Sequence, residues 1–101
     1  MRVVFHTEAQ SEFSAAAMYY KREAGQVIAL AFSNEIERVI KLLAEFPEFG
    51  TPLQDSPKSG LRRYPLKRFP YDLMYRAQDD VIRILAVAHQ HRQPGYWQSR
   101  R

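Results

Sequence analysis

The spacing of apolar residues predicts a strand, two helices and then three strands. Val3–His6 is short and mostly apolar, as expected for a first strand. Thr7 and Gln10 fit a capping box at a helix start, and Gly25 is a natural stop between two helices, the second reaching Phe46. Apolar stripes with helical spacing run through Ala9, Phe13, Ala16, Ala17 and Tyr20, and then through Ile28, Phe32, Ile36, Val39, Ile40 and Leu43. The pattern therefore predicts an antiparallel helical hairpin that faces a sheet.

The second half of the chain changes to the period of strands. Residues 47–60 are rich in Pro, Gly and Ser, which predicts a loop. Leu61–Phe69 is a basic strand with an internal proline, so we expect it at a sheet edge or with a bulge. Tyr71–Arg76 is the next strand, a Gln-Asp-Asp turn follows, and Val81–Ala88 is apolar on both faces, which predicts a central strand. The predicted class is α+β, with a two-helix hairpin on a mostly antiparallel four-stranded sheet and a final three-strand meander.

Length and composition restrict the class of protein. A chain of 101 residues suits one domain, which we expect to span residues 1–101. There is no cysteine, so thiolate metal sites and disulfides are excluded. The apolar runs are too short for a membrane span, and the N-terminus lacks the apolar core of a signal peptide. These features predict a cytoplasmic protein without a membrane partner.

Positive charge is concentrated in the second half. Residues 1–60 contain 6 Lys and Arg against 8 Asp and Glu, whereas residues 61–101 contain 9 Lys and Arg against 3 Asp. A basic half of this kind suits an anionic partner, either nucleic acid or an acidic protein, although a solvated basic face is an equal alternative.

The candidate chemistry lies where the last strand ends. His89 and His91 point to one face, but no carboxylate lies beside them in sequence, so we predict neither a metal site nor a cofactor. Cleavage of RNA by His91, Arg92 and Tyr96 is chemically possible, since it needs a base, a cation and an acid. The alternative is that one histidine caps the strand, which we favour for His89, and that the other is simply solvated. Trp97, next to Tyr96, either packs on the sheet or anchors a partner.

Two further surfaces are candidates for binding. Arg63 and Lys67 would share one face of the basic strand, although a charged edge also prevents strand-to-strand aggregation. Met18, Tyr19 and Tyr20 widen the apolar surface of the first helix beyond one stripe, and such a strip often marks a docking groove.

Four passages resemble one known family along nearly the whole chain. They are Tyr19-Tyr20, the passage at residues 42–50, Arg-Phe-Pro-Tyr-Asp-Leu-Met-Tyr-Arg at 68–76, and Ile-Leu-Ala-Val-Ala-His-Gln-His-Arg-Gln-Pro-Gly-Tyr-Trp at 84–97. The chain resembles the RelE/ParE superfamily of toxins from bacterial type II toxin–antitoxin systems, often called plasmid stabilisation proteins. The resemblance implies a strand–helix–helix–three-strand fold, in agreement with the periodicity.

The resemblance also divides the possible functions. RelE-like members are ribosome-dependent endonucleases that cut mRNA, and ParE-like members poison DNA gyrase. RelE has a cleavage-assisting arginine directly after the tyrosine that opens the penultimate strand, but Asp72 follows Tyr71 here. A carboxylate there would repel the scissile phosphate, which favours the ParE-like branch.

The resemblance further implies partners and residue roles. A cognate antitoxin of the ParD type would wrap the toxin, with contacts to Phe13, Met18, Tyr19 and Tyr20. DNA gyrase would be the target and would be contacted by Arg63, Lys67, His91, Arg92, Tyr96, Trp97 and Arg100, with no catalytic residue. One alternative is a nuclease that acts on ribosome-bound mRNA with His91, Arg92 and Tyr96 as its active site. Another is a non-toxic member that binds its antitoxin and regulates its operon.

Overall fold

A computed structural model describes residues 1–53, 60–92 and 94–100 of the chain. The elements, in chain order, are β1 (Arg2–Phe5), α1 (Thr7–Ala24), α2 (Gln26–Glu45), β2 (Thr51–Pro52), β3 (Leu61–Pro65), β4 (Tyr71–Gln78) and β5 (Val81–His89). The predicted α+β class, the helical hairpin and the final meander are confirmed.

One sheet contains all the strands, in the order β1-β5-β4-β3-β2. Only the β1–β5 pair is parallel among these strands; the other neighbours are antiparallel. The part of the chain that the structure describes therefore has five strands rather than the expected four. The additional strand, β2, follows Gly50 and pairs antiparallel with β3. Thr51 lies opposite Arg63, and the Leu53 N–H donates to the Leu61 carbonyl.

β1 and β5 differ from their predicted bounds by no more than one residue at either end, whereas β3 and β4 differ by more. β3 ends at Pro65 rather than at Phe69, because Arg68 adopts a left-handed φ of 71° that turns the chain into β4. β4 extends to Gln78, where the expected tight turn follows. Asp79 and Asp80 both have positive φ, 54° and 62°, as a type I′ hairpin turn requires.

The start of α1 also corrects the prediction. Thr7 is the first helical residue rather than the cap. The cap is His6, whose Nδ1 accepts a hydrogen bond from the Glu8 N–H at 3.1 Å. A histidine ring nitrogen thus satisfies an N–H that the helix leaves free. At the other end, Gly25 terminates α1 with a φ of 91°, as expected.

The sheet is covered on both faces. The first core lies between the sheet and the helices and contains fully buried Phe32, Leu73 and Tyr75. The second core lies on the opposite face and contains Leu85 and Trp97. Because β5 contributes to both cores, its continuous apolar sequence is explained, and its predicted central position is confirmed.

The Tyr75 hydroxyl joins the end of α2 to the sheet. It donates to the Pro47 carbonyl at 2.7 Å and accepts from the Gly50 N–H at 2.8 Å. A side chain at Gly50 would collide with the Tyr75 ring, so glycine is required by this close approach. Neither helix in the described part of the chain combines the length and apolarity needed to cross a membrane.

Candidate functional site at the end of the sheet

The C-terminal segment, residues 94–100, packs against the face of the sheet that the helices leave open. Trp97 is only 5% exposed and lies with Leu61, Met74 and Ala88 in the second core. Of the two predicted alternatives for this tryptophan, the structure places it against the sheet. Its indole thus anchors the segment rather than projecting toward solvent.

Side chains complete the hydrogen bonding of β5 beyond the end of β1. β1 pairs with β5 only as far as Ile84. Past that point, the Val87 N–H donates to Glu12 Oε1 at 3.0 Å, and the Leu85 carbonyl accepts from Arg100 Nη1 at 3.0 Å. An unpaired backbone group in this half-buried position would be costly, so these two side chains act as substitutes for a missing strand.

The Glu12 carboxylate is the centre of this region. Besides the Val87 N–H, it accepts the Tyr96 hydroxyl at 2.8 Å and both terminal nitrogens of Arg100 at 2.9 and 3.1 Å. Arg92 Nη1 lies 3.5 Å away. The Glu12 side chain is 14% exposed, so these charge-assisted bonds form largely out of water. One carboxylate thus joins α1, β5 and the C-terminal segment.

Glu12 was not among the predicted site residues. The available signal was the pair Glu8 and Glu12, which lie one turn apart on the same side of α1. Arg100 Nε lies 2.9 Å from Glu8 Oε2, but it forms no hydrogen bond of acceptable angle, so this contact is an ion pair alone. The Arg100 side chain is 8% exposed, which makes it part of the scaffold.

Tyr96 is held by the same network. The Arg92 guanidinium lies 3.8 Å above the centre of its ring, and that of Arg100 lies 5.0 Å away. Burial of the phenol, with a further effect of the hydrogen bond to Glu12, raises the pKa of Tyr96 to about 12. A phenol with this pKa stays protonated and bound to Glu12 near neutral pH.

The two histidines have different environments. His89 Nδ1 accepts the His91 N–H at 3.1 Å, and its ring meets the edge of Tyr71, so His89 caps the strand as one alternative proposed. His91 is exposed. In the part of the chain that the structure describes, His91 does not line either of the clefts that Arg92 and Tyr96 line.

A cleft of about 390 Å³ opens on the sheet face beside the C-terminal segment. We call it the open-face cleft; it is lined by Leu53, Arg63, Asp72, Met74, Ala88, His89, Gln90, Arg92, Pro94, Gly95, Tyr96, Trp97 and Gln98. Asp72 is 7% exposed and accepts a hydrogen bond from Gln90 Nε2 at 3.1 Å. Arg63 Nη1 lies 3.9 Å from its other oxygen, beyond hydrogen-bond distance.

The structure separates Arg63 from Lys67, which were predicted to share a face. Arg63 lines the open-face cleft. Lys67 lies beyond the end of β3, in a pocket with Glu35 and Arg38. Its backbone N–H donates to Glu35 Oε2 at 2.7 Å. The strand alternation assumed in the prediction does not reach Lys67, because β3 ends at Pro65.

The four candidate residues of the first helix also divide into two pairs. Phe13 and Tyr20 turn inward, with ring centres 6.0 and 5.2 Å from that of Phe32. Met18 and Tyr19 are 63% and 49% exposed. Met18 lines a shallow groove between the helices that also includes the exposed Leu30.

Comparison with known proteins identifies the family to which the chain belongs. Residues 3–94 match a family described as the ParE toxin of type II toxin–antitoxin system, parDE. The chain therefore belongs to the ParE toxin family. No curated protein sequence matches it significantly.

Among solved structures, the chain is similar to one described as the chromosomal ParDE TA system from P. aeruginosa. The identity is 24% over 88% of this chain and 95% of the other, with a TM-score of 0.73. At this identity the similarity concerns the fold.

The raised pKa of Tyr96 predicts a pH dependence of stability. The folded state holds the phenol proton more tightly than the unfolded state does. The protonated phenol therefore contributes its full stabilisation below the ordinary pKa of 10.0, and this stabilisation is lost as pH rises toward about 12. The free energies of unfolding of the wild type and of Tyr96→Phe, measured in urea, should therefore differ by a constant amount up to about pH 9.5. This difference should shrink at higher pH. A difference that grows above pH 10 would contradict this assignment.

Proposed function

We propose that the chain is a cytoplasmic toxin that poisons DNA gyrase and is held inactive by a cognate antitoxin. Membership of the ParE toxin family supports this proposal. Gyrase is favoured over ribosome-bound mRNA as the target because the residues that a nuclease would need are engaged or replaced. Tyr96 is bound to Glu12, and a carboxylate, Asp72, occupies the open-face cleft.

These features disfavour cleavage of mRNA by His91, Arg92 and Tyr96. Tyr96 has too high a pKa to exchange a proton readily near neutral pH, and Arg92 stacks on it while facing Glu12. Asp72 stands where a RelE-type nuclease has its cleavage-assisting arginine, so this position supplies no cation to the scissile phosphate. An inhibitory binding surface suits this arrangement better than an active site.

The exposed cations are the proposed contacts with the target. The Arg63 and Arg92 side chains, which line the open-face cleft, are 50% and 55% exposed. His91, next to Arg92 in the chain, is also exposed, whereas Lys67 is exposed in the separate pocket beyond β3. Exposed cations steer association with an anionic surface, such as the DNA that gyrase holds. The other residues predicted for target contact, Tyr96, Trp97 and Arg100, are buried or half-buried and support this surface from beneath.

The groove between the helices is the proposed docking site for the antitoxin. Met18 and Leu30 line it, and Val27, which is 79% exposed, lies on the same helical hairpin. Lys21 provides a cation at the groove. An amphipathic segment with acidic residues would cover this apolar surface on folding.

Expression without antitoxin tests the target. We expect an SOS response with filamentation, and accumulation of cleaved DNA when purified chain is added to gyrase. Arg63→Gln and Arg92→Gln should each weaken the gyrase effect several-fold, because each removes an exposed cation. Arg22→Gln, on the exposed end of α1, removes the same charge outside the proposed gyrase-binding surface. It should leave the effect on gyrase unchanged.

Three outcomes would count against this proposal. Rapid loss of translation with cuts in ribosome-bound mRNA would establish the nuclease alternative. The absence of any growth defect would favour a non-toxic regulator. Equal effects of Arg22→Gln and Arg63→Gln would remove the proposed gyrase surface.

Binding of the antitoxin is tested separately at the helical groove. Leu30→Glu places a charge among apolar groups and should reduce the affinity for the antitoxin encoded beside this chain by roughly tenfold or more. Gln10→Glu adds the same charge at another exposed position of α1–α2 and should leave the affinity unchanged. Titration calorimetry measures both, and equal affinities for the two variants would exclude the groove.

A further inference from the structure

The open-face cleft combines features that binding of a target by exposed cations does not use. Its volume of about 390 Å³ falls within the usual range of small-ligand sites, roughly 300–1,000 Å³. Apolar groups of Met74, Ala88 and Trp97 form part of its lining. A few polar groups lie among them, which is the usual composition of a site that orients a ligand.

Asp72 supplies the orienting acceptor. Its carboxylate is almost fully buried yet lines the cleft. A carboxylate accepts about four hydrogen bonds, and among the described residues Gln90 donates one. The Gln90 contact helps to orient the carboxylate, and Arg63 Nη1 lies 3.9 Å from its second oxygen without a hydrogen bond. Acceptor positions therefore remain for a ligand that brings two adjacent N–H donors.

The charge around Asp72 restricts that ligand. Arg63 and Arg92 lie at the cleft with exposed side chains, so the lining carries more positive than negative charge. A simple cation would be repelled by the two arginines. The ligand must therefore offer donors to Asp72 and an anionic group to the arginines.

We infer that the open-face cleft binds a guanine base that carries a phosphate. The N1–H and N2–H groups of guanine form two adjacent donors that match one carboxylate. Trp97 forms part of the apolar wall beside the base, and the exposed Arg63 and Arg92 side chains bind the phosphate. Adenine presents an acceptor at N1 and lacks the second donor, so Asp72 would discriminate between the purines. This inference does not depend on gyrase being the target.

The position of Trp97 gives a direct measurement. Trp97 is the single tryptophan of the chain and lines the cleft, so a bound base should quench its fluorescence. Titration with GMP should give saturable quenching, with an affinity at least about tenfold higher than for AMP. A single-stranded oligonucleotide with one guanine identifies the source. Binding tenfold tighter than GMP indicates a base within nucleic acid, and binding no tighter than GMP indicates a free nucleotide.

Two variants test the assigned roles. Asp72→Asn keeps the shape but replaces an acceptor by a donor, so it should abolish the preference for GMP over AMP. Arg63→Gln, at an exposed position, should weaken the binding of GMP several-fold and leave the binding of guanosine unchanged. This variant tests the inference even if a thermal melt shows that Asp72→Asn is unfolded. Arg22→Gln should bind GMP as the wild type does. Equal quenching by GMP and AMP, or no saturable quenching by millimolar GMP, would overturn the inference.

Discussion

The Glu12 carboxylate joins α1 to β5 and to the C-terminal segment, and this contact holds the segment over the open face of the sheet. It replaces a missing strand at Val87 and binds the Arg100 guanidinium through both terminal nitrogens. A bidentate, largely buried pair of this kind also fixes geometry, because the planar guanidinium matches the carboxylate. Removing the acceptor would leave the Arg100 charge and a backbone N–H poorly satisfied, which is the costly case for buried groups.

The burial of the second face of β5 follows from this contact. The helices cover one face, and the C-terminal segment, held by Glu12 and anchored by Trp97, covers the other. In a chain of 101 residues, a second core adds apolar burial that a two-layer domain would otherwise lack. The same arrangement leaves Arg63 and Arg92 exposed at the open-face cleft, so that the scaffold and the proposed binding surface share one segment.

Local pattern predicted the elements of this fold, and its failures involve backbone conformation and long-range contacts. Apolar spacing was sufficient for both helices and for the central β5, since burial periodicity is a property of neighbouring residues. The end of β3 was missed because the left-handed turn at Arg68 is not evident from residue type, and Lys67 was therefore misplaced. The role of Glu12 was missed because its partner Arg100 lies 88 residues away. No local signal joins two such positions.

If Glu12 holds the C-terminal segment on the sheet, its substitution should release that segment. Glu12→Gln removes the charge but nearly keeps the shape, and Glu23→Gln on the exposed end of α1 is the matched control. The Glu12→Gln variant should retain its helix content and lose about 1.5–3 kcal/mol of unfolding free energy. Its Trp97 emission should shift to longer wavelength, because the indole meets water. The control should match the wild type. Wild-type stability and unshifted Trp97 emission in Glu12→Gln would contradict the central role of this carboxylate.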